Sequence, residues 1–153
     1  MLNRIPLALF SWGLLSAIDT YAQPPKYFPA EDARTEILAN TNRKPAGRMH
    51  NRVLSISLEA REGLWYPETK DGPGLSVQAF AEKGRPLSIP GPLIRVIEGT
   101  EIRASIHNAI SASTLVMHGF HPRPGDPKDT FEIPSGETRE VRFKAGAAGT
   151  YYY

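Results

Sequence analysis

Apolar and polar residues alternate with a period of two along much of the chain. Between residues 54 and 60 every second residue is apolar, the residues between them are serine or glutamate, and residues 102–106 show a similar alternation. Side chains of a β-strand point alternately to opposite faces, so this period is typical of half-buried strands. We expect Arg103 and Arg142 to be exposed. The side chains expected to be buried are those of Leu54, Ile56, Ile102, Ile106, Val141 and Phe143.

Seven apolar runs are separated by turn-forming residues. They span residues 52–60, 75–79, 93–97, 102–106, 113–118, 137–143 and 150–153. The 14 prolines and 13 glycines do not form a repeat, and they fall between the runs as expected for short strands joined by turns. The pattern therefore predicts an all-β domain, either a sandwich or a barrel. Because the last run has no closing turn, we expect the domain to be incomplete at its C-terminus.

The first 22 residues have the pattern of a signal peptide. Arg4 provides a positive start, residues 5–18 are almost wholly apolar, and Thr20 and Ala22 place small side chains at the outer positions of a cleavage site before Gln23. The apolar run is shorter than the about 20 residues that a membrane span needs. A buried N-terminal helix, the alternative, would need polar positions at helical spacing. We expect the mature chain to begin at or near Gln23 and to be periplasmic or secreted, outside the membrane.

Residues 23–51 lack a sustained period of two and are expected to form a lead-in arm before a domain of residues 52–153. Glu31 and Asp32 follow Pro29, and acidic residues favour the first turn of a helix. A short helix is therefore expected from this point to about Asn40. No chemistry is assigned to the arm.

Charge and residue content exclude several functions. The net charge is +2 and the basic residues are scattered, so no nucleic-acid partner is expected. The absence of cysteine excludes disulfides and thiolate metal sites. Nucleophile-elbow, phosphate-loop and zinc-protease motifs are also missing, so no catalytic residue is assigned. Asp126, Asp129 and Glu132 share a proline-rich loop and are expected to be solvated carboxylates rather than a hydrolytic pair.

Three segments in series carry a family pattern. Residues 90–108 begin with Pro-Gly-Pro-Leu-Ile-Arg-Val, residues 114–119 read Thr-Leu-Val-Met-His-Gly, and residues 134–153 run from Pro-Ser-Gly-Glu-Thr to Gly-Thr-Tyr-Tyr-Tyr. Their order, spacing and content resemble the N-terminal cupredoxin (plastocyanin-like) domain of a multicopper oxidase. The resemblance covers roughly residues 52–153. It implies a cupredoxin-like Greek-key β-sandwich.

The resemblance also implies a position for copper ligands. Members of the family carry His-Trp-His-Gly in the second segment, and the two imidazoles bind different copper ions of a trinuclear cluster. The same positions here are Val116, Met117, His118 and Gly119. His118 matches the second histidine, a type 3 copper ligand, whereas Val116 has no donor atom. Since residues i and i+2 of a strand share a face about 6–7 Å apart, Val116 and His118 are predicted to face the same way.

The other histidines leave alternatives open. His121 is a candidate substitute ligand or a solvated loop residue. His118 itself is either a copper ligand in the complete protein or a histidine hydrogen-bonded at the rim of the core. His107 alternates with the polar face of its strand and is expected to be exposed, and His50 is assigned no role.

The resemblance implies that the chain is a fragment of an exported multicopper oxidase-like protein. Such enzymes take electrons from a reductant and reduce dioxygen at copper, and further cupredoxin domains of the same parent chain supply the other ligands. Copper binding and oxidoreductase activity are therefore expected only in the complete parent, and this chain alone should be inactive. The alternative is a copper-free structural cupredoxin-like domain that packs against its neighbours, and Val116 favours that interpretation.

Overall fold

The computed structural model describes residues 27–28, 35–122 and 129–153. The predicted signal peptide, residues 1–22, lies outside this part. The described residues contain strands and turns but no helix, and hence no helix long and apolar enough to cross a membrane. The all-β fold class is confirmed. The strands are β1 (Tyr27–Phe28), β2 (Leu38–Ala39), β3 (Arg48–His50), β4 (Val53–Trp65), β5 (Gly74–Glu82), β6 (Ser88–Ile89), β7 (Glu101–Asn108), β8 (Leu115–Met117), β9 (Phe131–Ile133) and β10 (Thr138–Lys144).

The long strand β4 organises the larger sheet. Its first half pairs in parallel with β7, from Val53 opposite Glu101 onward, and antiparallel with β3. Its second half pairs antiparallel with β5, ending with Trp65 opposite Leu75. β10 continues the sheet beyond β7, and β6 and β2 continue it beyond β5. The two halves of this 13-residue strand therefore have different neighbours, β3 and β7 beside the first half and β5 beside the second.

A small second sheet covers one face of the larger one. It consists of β8 and β9, which pair antiparallel. The main core lies between the two sheets, so the two-layer sandwich is confirmed. The buried side chains of this core are Leu54, Ile56, Leu58, Ile102, Ala104, Ile106, Met117, Phe120 and Ile133.

The segment before β3 closes the far end of the larger sheet. Residues 35–37 form hydrogen bonds of 2.8 and 2.9 Å with the backbone of Leu64 in β4. Residues 38–40 then donate two bonds of 2.9 Å to the carbonyl oxygens of Leu87 and Ile89, in and beside β6. The second half of β4, β5, β6 and residues 35–40 thus form a closed ring of hydrogen-bonded segments.

A second core fills this ring. It contains Ile37, Ala79, Ala81 and Leu87. Gly63 makes the closure possible, because a Cβ at this position would lie 2.7 Å from Ile37 Cγ1 and 2.8 Å from the carbonyl oxygen of Thr35. The helix expected to reach about Asn40 is wrong for residues 35–40, which are extended, and its predicted start in residues 29–34 lies outside the described residues. The backbone groups of residues 35–40 bond to strands on either side instead of to each other, and Ile37 is buried among those strands.

The period of two predicted burial well in the central strands and less well elsewhere. Leu54, Ile56, Ile102 and Ile106 are each at most 5% exposed. Arg103 and Arg142 are exposed, as expected. Val141 and Phe143, expected to be buried, are half-buried because β10 lies at the end of the larger sheet.

Two of the seven expected strands form no ladder in the described part of the chain. Residues 93–97 follow Pro90 and Pro92, which have no amide hydrogen to donate. Residues 150–153 are also outside any strand, although they pack closely against the chain just after β8. Packing and side-chain hydrogen bonds, rather than a backbone ladder, therefore hold this last segment in place.

Candidate functional site

The side chains of β8 alternate between the core and the outer surface. Met117 is 1% exposed and packs in the main core, whereas Val116 is 51% exposed. His118, which directly follows the strand, is also exposed. Val116 and His118 therefore share the outer face, as the predicted alternation requires, and the apolar residue between them anchors the strand.

The chain turns directly after His118. Gly119 has a φ of +76°, a conformation that glycine adopts without a steric penalty. Its amide donates a hydrogen bond of 2.9 Å to Oδ2 of Asp129, a residue only 4% exposed. On another side the Cα of Gly119 lies against the carbonyl oxygen of Tyr152. The backbone beside His118 is thus in contact with two distant parts of the sequence.

Tyr153 fixes residues 150–153 to the core. Its hydroxyl donates a 2.6 Å hydrogen bond to the carbonyl oxygen of Pro92. Its ring meets those of Phe80 and Phe120 edge-on, with centroids 5.5 and 5.3 Å away. Burial raises the pKa of the Tyr153 phenol, because the phenolate loses its hydration there. These contacts keep the backbone of Tyr152 beside the turn at Gly119.

The remaining histidines do not join His118 in a metal cluster. His121 is exposed and has a contact of its own. His107 is half-buried rather than fully exposed, and its Nδ1 lies 3.0 Å from Oγ1 of Thr138 on β10. His50 is exposed at the end of β3. Within the described residues no three His, Cys, Asp or Glu side chains come together as a metal site.

These observations show which copper ligands the described residues can supply. His118 provides an exposed imidazole, a suitable copper ligand. Val116 provides no donor on the same face. The described residues therefore fit a single ligand of a copper site, and the other ligands would have to come from elsewhere.

Sequence reasoning missed the role of Asp129. This residue was expected to be a solvated carboxylate, but it is buried and bonded to Gly119. Its proline-rich surroundings gave no signal, because the bond depends on the register between β8 and β9. Glu132 is exposed as expected, and Asp126 lies outside the described residues.

Comparisons with known proteins bear on this region. The multicopper oxidase family model matches residues 86–153. The resemblance to the multicopper oxidases is confirmed for this region. Among solved structures, the multicopper oxidase from Campylobacter jejuni, described as a metallo-oxidase, is similar to 82% of this chain, with 19% identity and a TM-score of 0.45. The similar part spans 26% of that protein. None of the curated proteins compared with the chain matches it.

The region that matches the family model contains the whole candidate site. Val116, His118, Gly119, Asp129 and Tyr153 all lie within residues 86–153. The same region supplies β6 to β10, including both strands of the small sheet. The two-layer fold described above is an all-β sandwich, with the candidate ligand at the end of β8.

Proposed function

We propose that this chain forms the N-terminal cupredoxin-like domain of an exported multicopper oxidase and contributes His118 as a copper ligand. The observation that carries the proposal is the outward orientation of both Val116 and His118 around the buried Met117. A His-x-His pair on such a strand presents two imidazoles to the same side. This chain keeps the second imidazole at that place.

The remaining ligands are proposed to come from further cupredoxin domains of the parent chain. An exposed face with a single imidazole suits a position between domains, where a neighbour completes the site. Copper in the complete parent would accept electrons from a reductant and pass them to dioxygen. In that arrangement His118 binds and orients one copper ion, while Met117 holds the strand against the core.

A second candidate function is that of a copper-free structural domain. Val116 supports it, because the side chain offers no donor and leaves an apolar surface 51% exposed where the family has a ligand. In this case the face of β8 would pack against a neighbouring domain through apolar contacts alone. The two candidate functions differ in whether the imidazole of His118 binds copper.

The experiment that separates them uses the complete parent protein. His118→Ala should lower the amount of bound copper, measured by elemental analysis, and should abolish copper-dependent oxygen uptake. His107→Ala is the matched control, because its ring contacts Thr138 on β10 of the larger sheet whereas His118 follows β8 of the small sheet, and it should keep both properties. Full copper content in the His118→Ala protein would favour the copper-free domain. The 153-residue chain alone should consume oxygen at the buffer rate after copper is added.

Export is proposed from Arg4 and the apolar residues 5–18. N-terminal sequencing of protein recovered from the periplasm or medium should give a chain that begins at or near Gln23. Recovery of an intact Met1 terminus from those fractions would contradict the proposal of a cleaved signal peptide.

A further inference from the structure

A buried carboxylate holds the turn that follows His118. Asp129 is 4% exposed, and its Oδ2 accepts the amide hydrogen of Gly119 at 2.9 Å. A carboxylate in such a place loses hydration, which is costly unless protein donors replace the water. The hydrogen bond to Gly119 is one such replacement. Asp129 therefore belongs to the internal structure of the site rather than to its solvated surface.

The strand register explains why this bond acts on His118. β8 and β9 pair with Val116 opposite Glu132 and Met117 opposite Phe131. Continuing the same register places His118 opposite residue 130 and Gly119 opposite Asp129. The backbone ladder ends at Met117, and the Asp129 side chain joins the two segments two residues later. His118 thus lies between the last ladder pair and this hydrogen bond.

A second contact prevents the turn from moving away. The carbonyl oxygen of Tyr152 lies against the Cα of Gly119, and Tyr153 is held by its hydrogen bond to Pro92. The backbone after His118 is therefore confined between the Asp129 carboxylate and residues 152–153. The direction in which His118 leaves the strand is set by these two neighbours.

We propose that Asp129 is a positioning residue for His118, fixing the backbone that aims the imidazole outward for copper. The role of copper rests on the proposed function above, whereas the positioning itself can be measured without metal. Asp129 acts through the Gly119 amide and does not need to touch the ligand.

The test compares the natural 153-residue chain with three variants by metal-free NMR. Asp129→Ala removes the acceptor, and Asp129→Asn keeps an amide oxygen that can accept the same bond. Ser135→Ala is the matched control, since Ser135 Oγ donates a 2.6 Å bond to the carbonyl oxygen of Ile110 just beyond the other end of β9. The readouts are hydrogen exchange of the Gly119 amide and the ring signals of His118, with His107 as internal reference.

In the natural chain the Gly119 amide should exchange slowly. Asp129→Ala should speed its exchange roughly ten- to a hundredfold, because a hydrogen bond to a charged acceptor is lost, and should shift the His118 ring signals. Asp129→Asn should restore most of the protection, and Ser135→Ala should leave His118 unchanged. Fast exchange in the natural chain would overturn the inference even if Asp129→Ala does not fold. Equal shifts of His118 in Asp129→Ala and Ser135→Ala would also overturn it, because the effect would then be general destabilisation.

Measurements of Cu²⁺ affinity separate this inference from the proposed function. In a Val116→His background, Asp129→Ala should weaken Cu²⁺ binding about tenfold, in line with loss of one hydrogen bond, and Asp129→Asn should recover it. If the metal-free results hold but the Val116→His chain binds copper no better than the natural chain, the assignment of a copper site fails and the positioning by Asp129 remains. If Asp129→Ala leaves both the His118 signals and the copper affinity unchanged, the positioning role is wrong.

Discussion

The carbonyl oxygen of Tyr152 occupies the space that a side chain at Gly119 would need. A Cβ on Gly119 would also lie 3.0 Å from the Cβ of Tyr153. This approach brings residues 150–153 against the turn after His118, although no ladder joins them. The candidate ligand therefore depends on a contact between two segments that are far apart in sequence.

Gly119→Ala should destabilise the chain by about 2–5 kcal/mol. A left-handed conformation costs an alanine about 1–2 kcal/mol, and overpacking against Tyr152 adds about 1–3 kcal/mol. Gly136→Ala is the matched control, because Gly136 has a φ of +79° but no atom within 4 Å of the added Cβ. It should cost only about 1–2 kcal/mol. Urea unfolding of both variants measures the difference, and equal losses would show that the contact with Tyr152 is unimportant.

Val116→His should tighten Cu²⁺ binding by the isolated chain. The substitution places a second imidazole on the outer face of β8, about 6–7 Å along the strand from His118. This spacing suits two metal ions better than one, so the gain should be modest here and larger with a partner domain present. Calorimetric titration compares the natural chain, Val116→His, and Val116→His combined with His118→Ala. Tight stoichiometric binding by the natural chain would mean that another residue, such as His121, completes the site.

Tyr153→Phe should destabilise the chain by about 1 kcal/mol at neutral pH, through loss of the hydrogen bond to Pro92. The effect should depend on pH with a definite sign. Burial raises the pKa of the Tyr153 phenol above its ordinary value of 10.0, so the protonated form favours the folded state. This contribution is complete below pH 10 and is lost as the pH rises above it. Unfolding free energies measured from pH 8 to 11.5 should fall more steeply for the natural chain than for Tyr153→Phe, and parallel curves would contradict the assignment.

Gly63→Ala should destabilise the chain by about 1–3 kcal/mol, because the added methyl group would press on residues 35–37 and Leu87 inside the second core. Gly72→Ala is the control in an exposed turn, where the nearest atoms are 3.2 Å away in Thr69. It should change the free energy of unfolding by less than about 1 kcal/mol. The amide of Leu64 donates a hydrogen bond to Thr35. If this amide exchanges hydrogen faster in Gly63→Ala but not in Gly72→Ala, the destabilisation lies where residues 35–37 meet β4.

The sequence predicted the central strands because their pattern is local. Leu54, Ile56, Ile102 and Ile106 alternate with polar residues, and any sheet that buries one face would bury them. The shared outer face of Val116 and His118 follows from the same period. These features needed no knowledge of which strands are neighbours.

Other features depend on partners that are distant in the chain. Asp129 could not be recognised as buried until the register of β8 and β9 placed it opposite Gly119. Residues 35–40 contain helix-compatible residues, but their hydrogen bonds go to β4 and to the neighbourhood of β6. Tertiary packing overrode local preference in both cases. Residues 93–97 were predicted to be a strand from their apolar side chains, but they form no ladder, because an apolar run does not by itself provide a backbone partner.

The parallel pairing of β4 with β7 has a consequence for how the chain acquires its structure. Val53 meets Glu101 only after β5, β6 and the connection between them have been laid down, because parallel neighbours cannot be joined by a hairpin. Such long-range pairing lowers the entropy of the chain before new contacts stabilise it. Because of this cost, all-β sandwiches fold in roughly milliseconds to seconds. During that interval the apolar face of β4 is uncovered. Until β7 and the small sheet cover this face, the partly folded chain is prone to associate with other chains through its apolar surface.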